Sequence, residues 1–319
     1  MMFWPMFLFA ALAYSADRAE VDGLDVWIEE GQSPVIRGVL SGHGSYETTS
    51  GGTHIVLTES TLVIASDTVL LEVDRGNEFL NQALPQLEWK TDRTGIALLR
   101  EYGAIYLSRG VTPPTVRFTN KADVEAFQQI LPTESVVLVE RELVLQRRAA
   151  RALQLAHNEL AKQEIILLAK SRRPAGRSYF DTVINWDSRM APGIEHWRSE
   201  GRLEDSDAGR ILQLADGPQI DAILRMEERG LWCNRSHTRS ILTSVAAPGS
   251  SQHNSLLAID VLPVNSPVVT DVMAKHGWYR TVKADQPHFT WLGLPEEELS
   301  QLGLKKVNIG GLHYWVPDF

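Results

Sequence analysis

A single cysteine, Cys233, in 319 residues excludes an internal disulfide, so the fold does not depend on cross-links. Basic residues are also scarce. Lys and Arg number 31 against 40 Asp and Glu, a formal charge of −9, which lacks the basic face of a nucleic-acid binder. Beyond the N-terminus no apolar run is long enough to span a bilayer. The Gly/Ser/Thr-rich "SGHGSYETTSGGTH" (41–54) lacks the Gly-Lys-Ser/Thr of a phosphate loop and reads as a hairpin or exposed loop. No internal repeat is visible.

What is present is ordinary for a globular chain, 44% hydrophobic and 22% charged, with room for one large domain or two moderate ones. "MMFWPMFLFAALAYSADRAE" opens with an apolar run from Phe3 to Ala13, then small residues and charge. It resembles a signal peptide over residues 1–15, with Ala13 and Ser15 at the −3 and −1 positions, although no Lys or Arg precedes the run. A retained anchor is the alternative, for which the run is short. Export implies a secreted or periplasmic protein with no stable membrane insertion once the peptide is removed.

"VIRGVLSG", "THIVLT" and "TLVIASDTVLLEV" are rich in β-branched residues and broken by turn residues, so Val21 to Val73 favours strands. Short helices are expected at 77–87 and 121–131, and a strand at "SVVLVE" (135–140). Residues 16–138 therefore suggest a small, β-rich α+β domain of unknown role. Leu143, Ala150, Leu153, Leu160 and Leu167 fall near one stripe, predicting a long helix over 140–170. That helix is either a connector packed on its own domain or a self-association surface. "KSRRPAGRS" (170–178) ends it with Pro174 and Gly176, reads as a solvated basic surface, and closes the linker 139–178. The remainder, 179–319, alternates helix and strand signals. "ADGPQIDAILRMEERG" is a helix stopped at Gly230, and "DVMAKHGWYRTV" a helix end, a glycine turn and a strand.

Chemistry concentrates in the last hundred residues. "PGSSQHNSLLAIDV" carries His253 and Asp260, "KADQPHFTWLG" carries Asp285 three residues before His288, and "WCNRSHTRS" carries Arg235 and Arg239. Imidazole and carboxylate donors suit zinc, and a catalytic zinc keeps one position open for water. His253, Asp260 and His288 supply three such donors. Asp285, three residues from a ligand, is placed to act as general base, and an arginine nearby would hold a substrate carboxylate or polarise a carbonyl. Each pair alone is more often structural. His43, His54, His157, His196, His237, His276 and His313 read as surface or satisfied core, with His276 set apart by the Gly277-Trp278 turn beside it.

"SSQHNSLLAID" resembles the Ser-x-His-x-x-Gly-x-Ala-x-Asp signature of the zinc D-Ala-D-Ala carboxypeptidases and related peptidoglycan peptidases, of the lysostaphin/D-Ala-D-Ala metallopeptidase/hedgehog fold group. Spacing is kept throughout, but Leu256 stands where that family usually has glycine. "ADQPHFTWLG" is similar to its second signature. There the carboxypeptidases often have glutamate, whereas Asp-x-Pro-His-Phe is closer to the L-alanyl-D-glutamate endopeptidases and phage endolysins. "CNRS" resembles the family's Ser-Gly-Tyr-Arg-Ser without its Gly-Tyr pair, making Arg235 the first choice for the substrate arginine and Arg239 the reserve. The resemblance covers roughly residues 210–295.

The resemblance implies an α+β fold: a zinc-peptidase domain over 179–319 with a small antiparallel sheet flanked by helices and Zn2+ at the sheet face. It further implies hydrolysis of an amide in peptidoglycan stem peptides, by carboxypeptidase or endopeptidase action. Leucine for glycine would either strain a positive-φ position or narrow the pocket. The competing expectation is a catalytically degenerate, metal-containing cell-wall or partner-binding protein on the same fold. A third is an envelope protein whose likeness is coincidental.

Overall fold

The β-branched segments of the N-terminal third form antiparallel ladders, as period-two chemistry favours. The computed structural model describes residues 16–21, 24–29, 35–38, 44–47, 53–57, 61–66, 70–74, 78–83, 89–90, 93–170 and 173–319. The expected signal peptide over 1–15 lies outside the described residues. The chain divides into two compact units, Met1–Arg93 and Thr94–Phe319. In the first, β1 (Ala16–Val21), β2 (Leu24–Glu29) and β3 (Val35–Gly38) pair in order and β3 also pairs with a short strand, Trp89–Lys90. A second sheet is a meander of β4 (Gly44–Glu47), β5 (Thr53–Leu57), β6 (Thr61–Ser66) and β7 (Leu70–Asp74). β4 and β5, from the Gly/Ser/Thr-rich stretch expected to be a hairpin or exposed loop, pair antiparallel, and residues 48–52 between them lie outside the described residues. A short helix, α1 (Glu78–Ala83), lies before the Trp89–Lys90 strand, β8.

The second unit begins at Thr94, the second residue of α2 (Arg93–Tyr102), and continues with a 3-10 turn over Gly103–Leu107 and α3 (Lys121–Gln129), whose Asn120 cap accepts from Asp123 N at 3.0 Å. The long helix expected over 140–170 is not formed. Residues 133–146 instead make a hairpin of β9 (Thr133–Leu138) and β10 (Arg141–Gln146), and only Arg147–Ala161 is helical, α4. Leu143 and Leu145 are buried with Val144 exposed, a period of two, so Leu143 belongs to the strand and not to the helical stripe. Ala150, Leu153 and Leu160 do form that stripe, and it is buried within this same unit, where α4 packs on β9 and on α8 (Pro267–Lys275).

After β11 (Leu168–Ala169), Ser178 and Asp181 form a capping box that starts α5 (Tyr179–Ser199), with Trp186, Met190, Ile194 and Trp197 buried along one face. Next come α6 (Asp205–Leu212) and α7 (Asp216–Glu228), which stops as expected: Gly230 takes φ +78° and its N–H returns to Glu227 O. The central sheet has the order β11, β12 (Ala258–Leu262), β14 (His288–Trp291), β13 (Trp278–Tyr279), with all pairs antiparallel. A C-terminal hairpin, β15 (Leu304–Ile309) and β16 (Leu312–Pro317), joins through Trp315 N to Arg280 O at 2.8 Å. The fold is thus α+β with small antiparallel sheets and flanking helices. Residues 94–178, including the basic linker, group with the C-terminal half. No helix among the described residues is long and apolar enough to cross a membrane.

Candidate metal centre

β12 and β14 pair so that Asp260 stands directly opposite His288 and Ala258 opposite Thr290. Cross-strand partners share a face, so the carboxylate and the imidazole emerge side by side, with the small Ala258 leaving room next to them. His253 comes from the 3-10 turn Gln252–Ser255 that feeds β12. The loop entering this turn is fixed at Gly249. Its φ is +79°, its N–H donates to Thr182 Oγ1 at 3.0 Å, and a Cβ there would lie 2.0 Å from Phe118 O.

Three donor atoms meet. His288 Nδ1 lies 3.1 Å from His253 Nε2 and 3.3 Å from Asp260 Oδ1, and His253 Nε2 lies 3.3 Å from the same oxygen. The tautomers are assigned by the far side of each ring. His253 Nδ1 faces Ala175 O at 2.7 Å and so carries its hydrogen there. His288 Nε2 faces Gln252 Oε1 at 2.8 Å, an oxygen identified because the Gln252 amide nitrogen donates to Tyr102 O at 2.8 Å. Both nitrogens turned toward Asp260 are therefore bare. Three acceptors converge with no hydrogen between them, an arrangement that repels itself unless a cation sits in the middle. Donors 2.0–2.2 Å from a tetrahedral zinc stand roughly 3.3–3.5 Å apart, so the triangle has the right size. These three buried residues are the group that could hold a metal ion among the described residues.

The protonation state of His253 agrees with that geometry. Burial, then the nearby Arg177 charge, lowers the His253 pKa to about 4, leaving a neutral ring at pH 7. Asp260 Oδ2, turned away from the triangle, accepts from Arg177 Nη2 at 2.9 Å.

His253 and His288 line a cavity of about 410 Å³. Asp285 lines it too, placed by Ala284 at φ +64° and tied by its carbonyl to His288 N at 3.2 Å. Burial raises the Asp285 pKa, opposed by His288, Arg177 and Lys170. The side of the loop away from the cavity is held by Arg280, almost wholly buried, whose Nε donates to Gln286 O at 2.7 Å.

Of the two arginines singled out in the sequence, Arg235 lines the cavity and Arg239 does not. Arg239 closes its own loop through backbone bonds to Asn234. Arg177, Gln252 and Arg280 are the site residues that sequence reasoning passed over. Arg177 sits in the stretch read as solvated surface, and its one local signal is the Ser178/Asp181 capping box that immediately follows it. Leu256 has the positive φ that favours glycine, φ 58° and ψ 28°, and its side chain packs with Phe118, Phe127 and Tyr179 rather than on the cavity wall. His276 bonds Glu159 at 2.9 Å and accepts from Trp291 through its carbonyl, away from the ligand set.

No family model matches the chain, and no curated protein matches it. Similar solved structures include a zinc-bound mutant of the vancomycin resistance D,D-pentapeptidase VanY from a VanB-type cassette, at 15% identity and a TM-score of 0.31, covering 52% of this chain and 81% of that one. The LD-carboxypeptidase LdcB is another, at 17% identity and a TM-score of 0.29, covering 51% of this chain and 64% of that one. At such TM-scores the overall likeness says nothing of activity, which has to be read from the side chains.

Proposed function

We propose that the chain is an exported, metal-dependent peptidase that hydrolyses amide bonds in peptidoglycan stem peptides. The observation that carries this reading is the convergence of three bare donors, from His253, Asp260 and His288, beside a cavity that Asp285 also lines. Nitrogen and oxygen donors in this number suit zinc. When bound there, the ion supplies Lewis acidity toward a carbonyl and makes water nucleophilic near neutral pH.

The protein's own groups divide the remaining work. Asp285, desolvated and with a raised proton affinity, takes the proton of the attacking water and returns it to the leaving amine. Arg177, held against Asp260, faces the cavity and stabilises negative charge developing on the substrate carbonyl oxygen. Arg235, on the cavity wall, takes a substrate carboxylate, and Arg239, off the wall, takes no part. The choice of substrate rests on the resemblance of "SSQHNSLLAID" and "ADQPHFTWLG" to the peptidoglycan peptidase signatures, and the export on the N-terminal segment.

Digestion of purified peptidoglycan, with and without chelator, followed by mass analysis of the soluble products, tests the reading. Released D-alanine or stem fragments, lost with chelator, restored by Zn2+ and absent in Asp285→Asn, support it. Bound zinc with no product from any wall preparation would instead identify a metal-containing wall-binding protein.

A further inference from the structure

Three arginines, Arg177, Arg189 and Arg235, line the cavity of a chain whose net charge is −9. Arg177 is engaged by Asp260. Arg189 and Arg235 take part in none of the ion pairs found among the described residues. Arg189 Nη1 reaches only Ser188, and its Nε is buried without a hydrogen-bond partner. The guanidinium, which lines the cavity without an anionic partner, is a group that a ligand carboxylate satisfies well.

Arg189 is also set apart along the cavity wall from the loop that carries His253. Thr182, Asn185 and Arg189 lie at i, i+3 and i+7 on α5 and all line the cavity, so one face of the helix forms its wall. Thr182 is bonded to Gly249, in the loop that leads to His253. From there to Arg189 the wall runs seven residues, about 10 Å at 1.5 Å per residue. An extended peptide covers that length in roughly three residues at ~3.3 Å each.

We propose that Arg189 and Asn185 join Arg235 in the subsite for that substrate carboxylate, and that it is a free carboxylate two to three residues from the scissile amide. The proposal rests on the peptidase reading above and specifies which peptides the site prefers. In a stem peptide the γ-linked glutamate fits, because that linkage leaves its α-carboxylate free.

The test uses the pentapeptide L-Ala-γ-D-Glu-L-Lys-D-Ala-D-Ala and its analogue with the glutamate α-carboxylate converted to the amide. KM is measured on zinc-loaded protein, and Kd by calorimetry on chelator-treated protein. The acid form binds about tenfold more tightly than the amide by both measures. Arg189→Gln and Arg235→Gln each reduce that ratio, the double variant brings it to about one, and Arg189→Lys keeps part of it. Equal affinity of the native protein for both peptides, or a ratio untouched in a folded double variant, overturns the subsite. Failure of the peptidase reading shows separately, as no product from either peptide or from whole peptidoglycan. Discrimination in the calorimeter would then still support the subsite, and its absence would overturn both.

Discussion

Arg177 Nη2 bonds one oxygen of Asp260 at 2.9 Å while the other oxygen stands 3.3 Å from an imidazole nitrogen on each side. The guanidinium thus fixes which way the carboxylate faces. Its positive charge opposes a cation in the triangle, but the loss of an oriented ligand is the larger effect in comparable sites. Arg177→Gln therefore lowers zinc affinity about ten- to a hundredfold, read by competition with a chromophoric chelator. Unchanged affinity would show that Asp260 is held by the strand pairing alone.

The two parts of the site differ in how much of them shows in the chain. Ala258 and Asp260, two apart, were legible because strand side chains alternate, and that spacing puts both on the face that His288 and Thr290 share. The three-residue step from Asp285 to His288 likewise keeps base and ligand on one loop. Arg177 was not legible. It reaches Asp260 only because β11, following α4, pairs with β12 and brings the start of α5 to the site. Gln252 was hidden for another reason: its role is to accept from His288 Nε2, a relation between two side chains that spacing does not encode. The helix over 140–170 was overread because leucines at 143, 153 and 160 satisfy a helical stripe even though the first lies in a strand.

Leu256 reverses the usual order of small-residue substitutions. A left-handed backbone costs a non-glycine residue about 1–2 kcal/mol, while burying its side chain in the Phe118–Tyr179 cluster offsets that cost. Leu256→Ala loses the burial and keeps the strain, about 2–5 kcal/mol in all. Leu256→Gly loses the burial but relieves the strain. Denaturant melts should find the glycine variant at least as stable as the alanine one. A glycine variant about 1 kcal/mol weaker, as in an ordinary helix, would mean the position is unstrained.

Glu227 holds both ends of the loop that carries Arg235. Its Oε1 accepts from Cys233 N at 3.1 Å and from Ile241 N at 2.6 Å. Glu227→Ala orphans both donors and costs about 3 kcal/mol, whereas Glu227→Gln keeps an acceptor in place. Burial raises the folded pKa of Glu227, so its contribution to stability is largest below the unfolded value of about 4.5 and declines as pH rises through the folded one. Glu227→Gln removes that decline. Thermal melts across pH 4 to 8 should show the variant gaining on the native protein toward neutrality, and parallel profiles would contradict the assignment.

Cys233 is chemically silent in the folded protein. It is fully buried, and burial followed by the Glu227 charge pushes its thiol up to about 12. A thiol-specific reagent at pH 8 should label it only after denaturant is added. Rapid labelling of native protein would show that the 233–241 loop opens.

The ligand triangle also predicts how stability responds to metal. Without a cation, two bare imidazole nitrogens and a carboxylate oxygen face one another at 3.1–3.3 Å in a buried site, and each repels the other two. A divalent ion turns that repulsion into coordination in the folded state only, so binding adds to folding stability. At free zinc a thousandfold above its Kd the gain is about 4 kcal/mol. The melting temperature should therefore rise with zinc, fall with chelator, and show no zinc response in His288→Ala, where one donor and its bond to Gln252 are both gone. His288→Gln separates lost coordination from a simple cavity, since it fills more of the space. A melting temperature indifferent to zinc in the native protein would mean that the triangle holds a proton, not a metal.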